Sequence, residues 1–329
     1  MENAVRFLLA VFSVFFFISN IYASDTIKVL ILNETNPRIP AKNEKLEKIG
    51  SVEGNLLVMG SRYPGYIDIW RGDGGLYIIN ELPLEEYVKD VVAAEVGQDW
   101  DMEALKVQAV ISRTYAIYQK MMNTNSIYQI ASSVINQVYK GSSPDVRIAY
   151  AVSQTKGEIV TFEGKPIEAF YHSTCGGKTE NSEEVFGKSY PYLRSVESPC
   201  DLSPYSKWER EIPREEIERG LNIPGIKEIS IESYTSTGRV KQLAIRTHSG
   251  VVAVNATDLR KALGWSRLPS TKFTLSSDGD SFLFKGTGYG HGVGLCQWGA
   301  LQMAREGKTY REILSFYYPG TSIQLYENH

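Results

Sequence analysis

Glu95 is the residue whose position most needs a chemical explanation. On a helix advancing about 100° per residue, Leu84, Tyr87, Val88, Val91 and Val92 fall on one apolar stripe. Glu85, Glu86, Lys89 and Asp90 fall on the opposite side, and Glu95 falls in the middle of the stripe. An amphipathic helix keeps carboxylates off that face. A carboxyl group set among apolar side chains loses hydration, which disfavours its charged form and raises its pKa. A neutral carboxylic acid near neutral pH is what general-acid catalysis uses. The plain alternative is a helix end that frays before Gly97, leaving Glu95 in water or beside a basic residue.

Lys106 and Arg113 are seven residues apart, so on a helix they share one face to within about 20°. Two cations in line could hold an extended polar polymer or orient Glu95; a solvated surface face is the alternative. Two further clusters combine His, Cys and Gly. Tyr171-His172-Ser173-Thr174-Cys175-Gly176-Gly177 follows a strand-like run, and Cys200 comes 25 residues after Cys175. Gly288 to Gly299 is a Gly-rich loop holding His291, Cys296, Gln297 and Trp298, and it opens a helix. It lacks the GK[ST] of a P-loop and fits no dinucleotide fingerprint. His172, Cys175, Cys200 and His291 could together hold zinc, but their spacing is not a standard zinc pattern. An exported chain favours a Cys175–Cys200 disulfide instead. Cys296, among apolar and Gly neighbours, reads as a buried free thiol. Nothing local marks Cys175 or Cys296 as an activated nucleophile. His248 and His329 read as surface residues.

The elements that must carry these groups are legible in outline. Ile27–Leu32 reads as a strand, followed by short runs at Leu56–Met59, Tyr66–Trp70 and Leu76–Ile79 with Gly-rich turns between them. Pro83 precedes a helix to about Val96, since a proline costs little where the N–H is unpaired anyway. A second helix runs from about Met102 to Met121, with Asp101 and Glu103 at its start. Glu158–Phe162 and Pro166–Tyr171 flank the turn Glu163-Gly164-Lys165. Ile226–Tyr234, Val240–His248 and Val251–Val254 read as a meander, followed by a helix at Thr257–Leu263 and strands near Phe273–Ser276 and Ser281–Lys285. Thr309 and Glu312 form a capping box for a last helix. The expected class is α+β, with an antiparallel framework around a central helical hairpin. The expected division is a leader at 1–23, a strand region at 24–80, and a domain at 81–329 in which 204–267 is an inserted β-subdomain.

Composition narrows the function. The chain has 329 residues, 43% hydrophobic and 22% charged, which excludes a disordered or collagen-like protein. Lys and Arg number 35 against 38 Asp and Glu, a net charge of −3, so no basic footprint for nucleic acid exists. Twenty Tyr and five Trp suit stacking on sugar rings, although sheets and cores use them too. Arg6 precedes an apolar run from Phe7 to Ile18, too short for a comfortable span, and Ala23 and Ser24 offer a small-residue cleavage point. This predicts a secretory leader and an exported body, in the periplasm, cell wall or cell surface. Membrane attachment follows only if that segment stays uncleaved.

Four stretches together resemble the SpoIID/LytB domain family of cell-wall proteins. They are Leu84–Val96, Glu103–Ala116, Phe170–Glu180 with Tyr192-Leu193-Arg194, and Gly288–Ala300 ending in Tyr317-Tyr318-Pro319-Gly320. The resemblance implies peptidoglycan processing. The family's sporulation member is a lytic transglycosylase acting on glycan strands stripped of stem peptides, whereas LytB-type members enhance an amidase. Glu95 matches the family's catalytic glutamate, and Lys106 and Arg113 match its basic substrate contacts. By the same resemblance Tyr171, His172, Ser173, His291 and Gln297 would position the glycan. Some relatives bind zinc through Cys and His near the strand that here carries His172 and Cys175; the spacing here departs from theirs, and neither a metal nor another cofactor is carried over. The implied partners are glycan strands and an N-acetylmuramoyl-L-alanine amidase. Two rival classes remain: a non-catalytic amidase enhancer, and a metal or thiol hydrolase acting on stem peptides.

Overall fold

The computed structural model describes residues 25–32, 38–58, 60–97, 99–133 and 136–327. The leader at 1–23 and His329 lie outside the described residues. The described chain is mixed α+β with several separate sheets. Its described residues divide into two compact units, one made of those up to Glu95 with Gln119–Pro144 and Glu327, the other of Val96–Tyr118 and Asp145–Tyr326. No described helix is long and apolar enough to cross a membrane.

The first unit begins with β1 (Thr26–Leu30), β2 (Glu47–Glu53), the small hairpin of β3 (Leu56–Val58) and β4 (Ser61–Tyr63), then β5 (Tyr66–Gly72) and β6 (Gly75–Pro83). Helix α1 (Leu84–Glu95) follows β6 directly, and β7 (Ile130–Ala131) completes a sheet of order β2-β5-β6-β1-β7. β1 runs antiparallel to β6 and parallel to β7. Alternation in β1 and β6 turns Leu30, Tyr77 and Ile79 into a core with Ala131. Strand β2, Glu47–Glu53, has no apolar alternation and was not foreseen; pairing with β5 makes it a strand. Helix α1 starts where Pro83 predicts, its first N–H donating to Asp25 O at 2.8 Å. Leu84, Tyr87, Val88, Val91 and Val92 are all buried, as the stripe predicts. Each such burial contributes about 1.5–3 kcal/mol.

In the second unit, helix α2 (Met102–Met122, this unit's part ending at Tyr118) carries the apolar residues Val107, Val110, Ile111 and Tyr115. They pack with Val160, Leu193, Leu295, Leu301 and Leu314 in one core. Helix α3 (Val146–Gln154) precedes β8 (Glu158–Phe162) and β9 (Lys165–Pro166). The expected second strand of that hairpin is split: two residues pair as β9, and β10 (Tyr171–His172) leaves to pair elsewhere. A short helix α4 (Ser182–Phe186) follows. A second core joins Trp208, Ile212, Ile226, Leu243, Leu259, Phe282 and Phe284. The stretch read as 204–267 therefore shares its core with the later strands Phe273–Asp278 and Ser281–Gly286, the second of which pairs with Trp208–Pro213.

Candidate active site

In the first unit, Glu95 ends α1, one turn beyond the buried Val91 and Val92. Its side chain is partly buried, and its Oε1 accepts the Val138 N–H at 2.8 Å. The segment that supplies this amide is fastened on both sides. Tyr87 donates its hydroxyl to Gln137 Oε1 at 2.9 Å, and Tyr139 donates to Asn80 Oδ1 at 2.6 Å. Asn80 in turn donates to the carbonyls of Pro64 and Tyr66. The rings of Tyr63 and Tyr87 lie 5.5 and 5.3 Å from that of Tyr139. A carboxyl group held by a rigid backbone donor keeps one orientation, which proton transfer needs. Sequence reasoning missed Gln137, Val138 and Tyr139; the run of short apolar and polar residues ending at Gly141 carries no periodicity that marks them.

Asp90 corrects the sequence-based reading of α1. It was placed on the polar side, yet it is 1% exposed. Its Oδ1 accepts the Ser143 N–H at 2.9 Å, and Lys89 Nζ stands 3.8 Å away. Burial outweighs both and pushes its pKa up to about 6. A carboxyl pKa higher in the folded than in the unfolded chain stabilises the fold below the unfolded value, and this is lost as pH rises through the folded one. From the ordinary 3.8 to about 6, that amounts to about 3 kcal/mol at 1.36 kcal/mol per unit. Asp90→Asn is therefore expected to flatten the fall in stability between pH 4 and pH 6, read from urea midpoints at fixed ionic strength. An unchanged slope would show that Asp90 is ionised throughout.

The two cations of α2, read as one open face, differ in setting. Lys106 is partly buried, pairs with Glu103 at 2.7 Å and lies 5.6 Å from the centre of the Tyr310 ring. Arg113 has no exposed surface, and its Nη1 donates to Glu158 O at 3.0 Å. Glu158 is itself bound by Arg311 and by the Tyr310 hydroxyl. The helix face thus passes from the surface at Lys106 into the core at Arg113, because successive turns meet β8. Beside it, Gln297 donates to Gln108 Oε1 at 3.2 Å, and Gln108 donates to Ser112 at 3.1 Å, a buried amide ladder.

The two Gly- and His-bearing stretches do meet. β10 pairs in parallel with β11 (Leu295–Cys296), setting His172 opposite Cys296. Close approach requires glycine: at Gly294, with φ of 72°, a Cβ would stand 2.0 Å from Phe170 O. The His172 and His291 rings are 5.5 Å apart. His172 is buried, and its Nδ1 can only donate to the Val293 carbonyl at 3.1 Å. Burial first, then His291 and Arg239, hold it well below the usual imidazole range, so it is neutral with the proton on Nδ1. His291 accepts the Val293 N–H on Nδ1, so its own proton sits on Nε2, and burial with Arg260 and Arg239 pushes its pKa down to about 3. His291 also borders the stacked rings of Phe170 and Phe186, 4.4 Å apart, with Phe186 exposed. Tyr171 and Ser173 flank His172, and the Ser173 carbonyl accepts the Trp298 N–H at 3.1 Å. Phe186 was not foreseen, since an isolated Phe in an acidic stretch carries no pattern.

The pair expected to form a disulfide, Cys175 and Cys200, is brought together and buried. Their sulfurs are 3.4 Å apart, against about 2.05 Å in a disulfide. Cys296 is buried and unpaired by any disulfide, as read from the sequence.

A family profile described as Stage II sporulation protein (SpoIID) matches residues 72–162, which include Glu95, Lys106 and Arg113. A profile described as a domain of unknown function (DUF8618) matches residues 202–294. Stage II sporulation protein D of Bacillus subtilis is 35% identical over 74% of this chain and 75% of its own length. An uncharacterized protein of Brachyspira hyodysenteriae is 34% identical over 81% of this chain and 73% of its own. The amidase enhancer of Bacillus subtilis is 29% identical over 73% of this chain and 40% of its own.

Proposed function

The chain belongs to the stage II sporulation protein D family, and from that premise we propose that it is an exported peptidoglycan lytic transglycosylase in which Glu95 is the single general acid and base. The observation that carries this reading is the Glu95 carboxyl at the end of a buried helix stripe, held by the Val138 amide. Protonated Glu95 gives its proton to the oxygen linking N-acetylmuramic acid C1 to N-acetylglucosamine. The C1–O bond breaks, and the carboxylate then takes the proton from the muramic C6 hydroxyl as that oxygen closes onto C1. The products are a free 4-hydroxyl end and a 1,6-anhydro end; no water is consumed and Glu95 is protonated again. One carboxylate serves both steps, unlike the two-carboxylate scheme of hydrolytic glycosidases. The substrate's own acetamido group stabilises charge at the anomeric carbon.

Lys106, Tyr171, Ser173 and His291 are proposed to position the polymer, with the buried His172 and Gln297 acting through them by holding their loops in place. The exposed Phe186, backed by Phe170 and beside His291, offers a flat face for a sugar ring. Phe186→Ala is expected to raise KM for glycan strands about fivefold, the equivalent of about 1 kcal/mol, with kcat little changed. An unchanged KM would remove that face from the binding surface.

A second reading, an amidase enhancer that does no chemistry, is favoured by the buried position of Arg113, which leaves it unable to grip a polymer. The two readings separate when the purified protein alone is incubated with denuded glycan strands and the products are weighed by mass spectrometry. Anhydro ends support the transglycosylase, uncut strands support the enhancer, and reducing ends indicate a hydrolase. Glycan strands and an N-acetylmuramoyl-L-alanine amidase are the proposed partners, outside the cytoplasm.

A further inference from the structure

The segment that matches a profile of unknown function, residues 202–294, contains the strands Ile226–Tyr234 and Val240–Thr247. The turn between them is Thr235-Ser236-Thr237-Gly238-Arg239, in the second unit. Two backbone bonds close it: the Thr235 N–H donates to Arg239 O at 2.8 Å, and the Gly238 N–H to Thr235 O at 3.0 Å. Turns of this kind normally lie in solvent. This one ends in an arginine that is only 1% exposed, and the guanidinium reaches both His-bearing stretches.

Arg239 Nη2 donates to Cys175 O at 2.7 Å, three residues after His172. The same group lies against Gly292, one residue after His291. A Cβ at Gly292 would stand 2.5 Å from Nη2, 2.6 Å from Cζ and 2.8 Å from Nε. Near-equal distances to three atoms place the flat face of the guanidinium on that backbone. Gly292 also has φ of 89°, so any larger residue there would be strained and would displace Arg239.

The turn grips Gly292 a second time, through Glu180. The Glu180 N–H donates to Gly292 O at 2.8 Å. Glu180 has no exposed surface, and its Oε2 accepts the Thr235 hydroxyl at 2.6 Å and the Thr237 hydroxyl. Next to it, Asn181 Nδ2 donates to Ser236 Oγ at 3.2 Å. Arg239 and Glu180 attract one another, and either charge alone in the core would be costly.

Gly292 is followed by Val293, which fixes both rings. The Val293 N–H donates to His291 Nδ1, and its carbonyl accepts from His172 Nδ1, each at 3.1 Å. A shift at Gly292 therefore disturbs both of the bonds that set the two tautomers. The Arg239 charge also disfavours an added proton on either ring.

We propose that the turn Thr235–Arg239 is a latch in which Arg239 is a positioning residue: it fixes the Gly292 backbone and, through it, the orientation and tautomers of His172 and His291. The inference rests on the reading in which His291 helps to position the glycan. It gives the sheet that bears the turn a part in that binding, although the turn itself need not touch the polymer.

The test follows the imidazole nitrogens of the full mature chain by proton–nitrogen NMR, which is tractable with four His in the sequence. The parent should show one ring protonated on Nδ1 and one on Nε2, neither titrating between about pH 5 and pH 8. Arg239→Met keeps an unbranched side chain but loses the charge and the Cys175 bond. It is expected to set both rings exchanging between tautomers. It should also raise KM for denuded glycan about tenfold with kcat little changed, the mark of lost binding. Arg239→Lys should recover only part, since an ammonium can reach Cys175 O but cannot lie flat on Gly292. A residue that serves packing alone would lower the urea midpoint and leave the tautomers and KM of the folded variant as they were; that result overturns the latch. Tautomers that change with KM unmoved overturn its link to binding. If Arg239→Met does not fold, the near-isosteric pair Thr235→Val with Thr237→Val decides by the same readouts, because it strips Glu180 Oε2 of its two hydroxyl donors. A parent that leaves denuded glycan uncut removes the transglycosylase reading, and the tautomers then judge the latch alone.

Discussion

Glu95→Gln is expected to abolish release of anhydro-ended products from denuded glycan, with a loss of at least about 10²–10⁴-fold, the range for removal of a general acid or base. The choice of Gln matters. Its amide oxygen can accept the Val138 N–H as the carboxylate does at 2.8 Å, so orientation is kept while the transferable proton is lost. Glu95→Ala removes both and should be no less active than Gln if only proton transfer counts. Thermal unfolding of the Gln variant should stay close to the parent, because a partly buried side chain that keeps its main partner costs under about 1 kcal/mol. Product release within tenfold of the parent by a folded Gln variant would sink the proposed mechanism and leave the enhancer reading standing.

Arg113→Ala is expected to cost about 3–6 kcal/mol of stability. The substitution leaves the Glu158 carbonyl without the Nη1 donor at 3.0 Å and opens a cavity in the core, and each loss is worth about 1.5–3 kcal/mol. Arg113→Lys should recover only part, since an ammonium cannot reproduce the guanidinium fork. Lys106→Ala should cost under about 1 kcal/mol, as a partly exposed ion pair does. Urea unfolding of the three variants measures this directly. If Arg113→Ala kept the parent's stability but raised KM for glycan, Arg113 would reach the substrate after all and its burial would be a property of the unliganded chain.

Much of this was legible in the sequence because it depends on local rules. The stripe Leu84, Tyr87, Val88, Val91 and Val92 is periodic, Pro83 marks the helix start, and the Thr309–Glu312 box caps the last helix as the structure has it. The meander from Ile226 to Asn255 also follows from alternation and turns. Helix α3 was missed although Asp145 caps it through the Ile148 N–H, since its short apolar pattern is masked by Tyr150 and Ser153. Asp90 was misread because periodicity assigns a residue to a face without saying what covers that face.

By itself, the amino-acid sequence determined the class of the fold, the two helices that bear Glu95 and Lys106, and the family. It also singled out Glu95, because a carboxylate on an apolar face violates a rule that needs only neighbours within two turns. The tertiary structure alone decided that Arg113 is a core residue, that Val138 supplies the amide beneath Glu95, and that Cys296 joins Cys175 and Cys200. Those facts rest on contacts between residues tens to more than a hundred positions apart. No periodicity links such positions, so only the packed chain, with its buried charges to be matched and its backbone donors to be satisfied, brings them together.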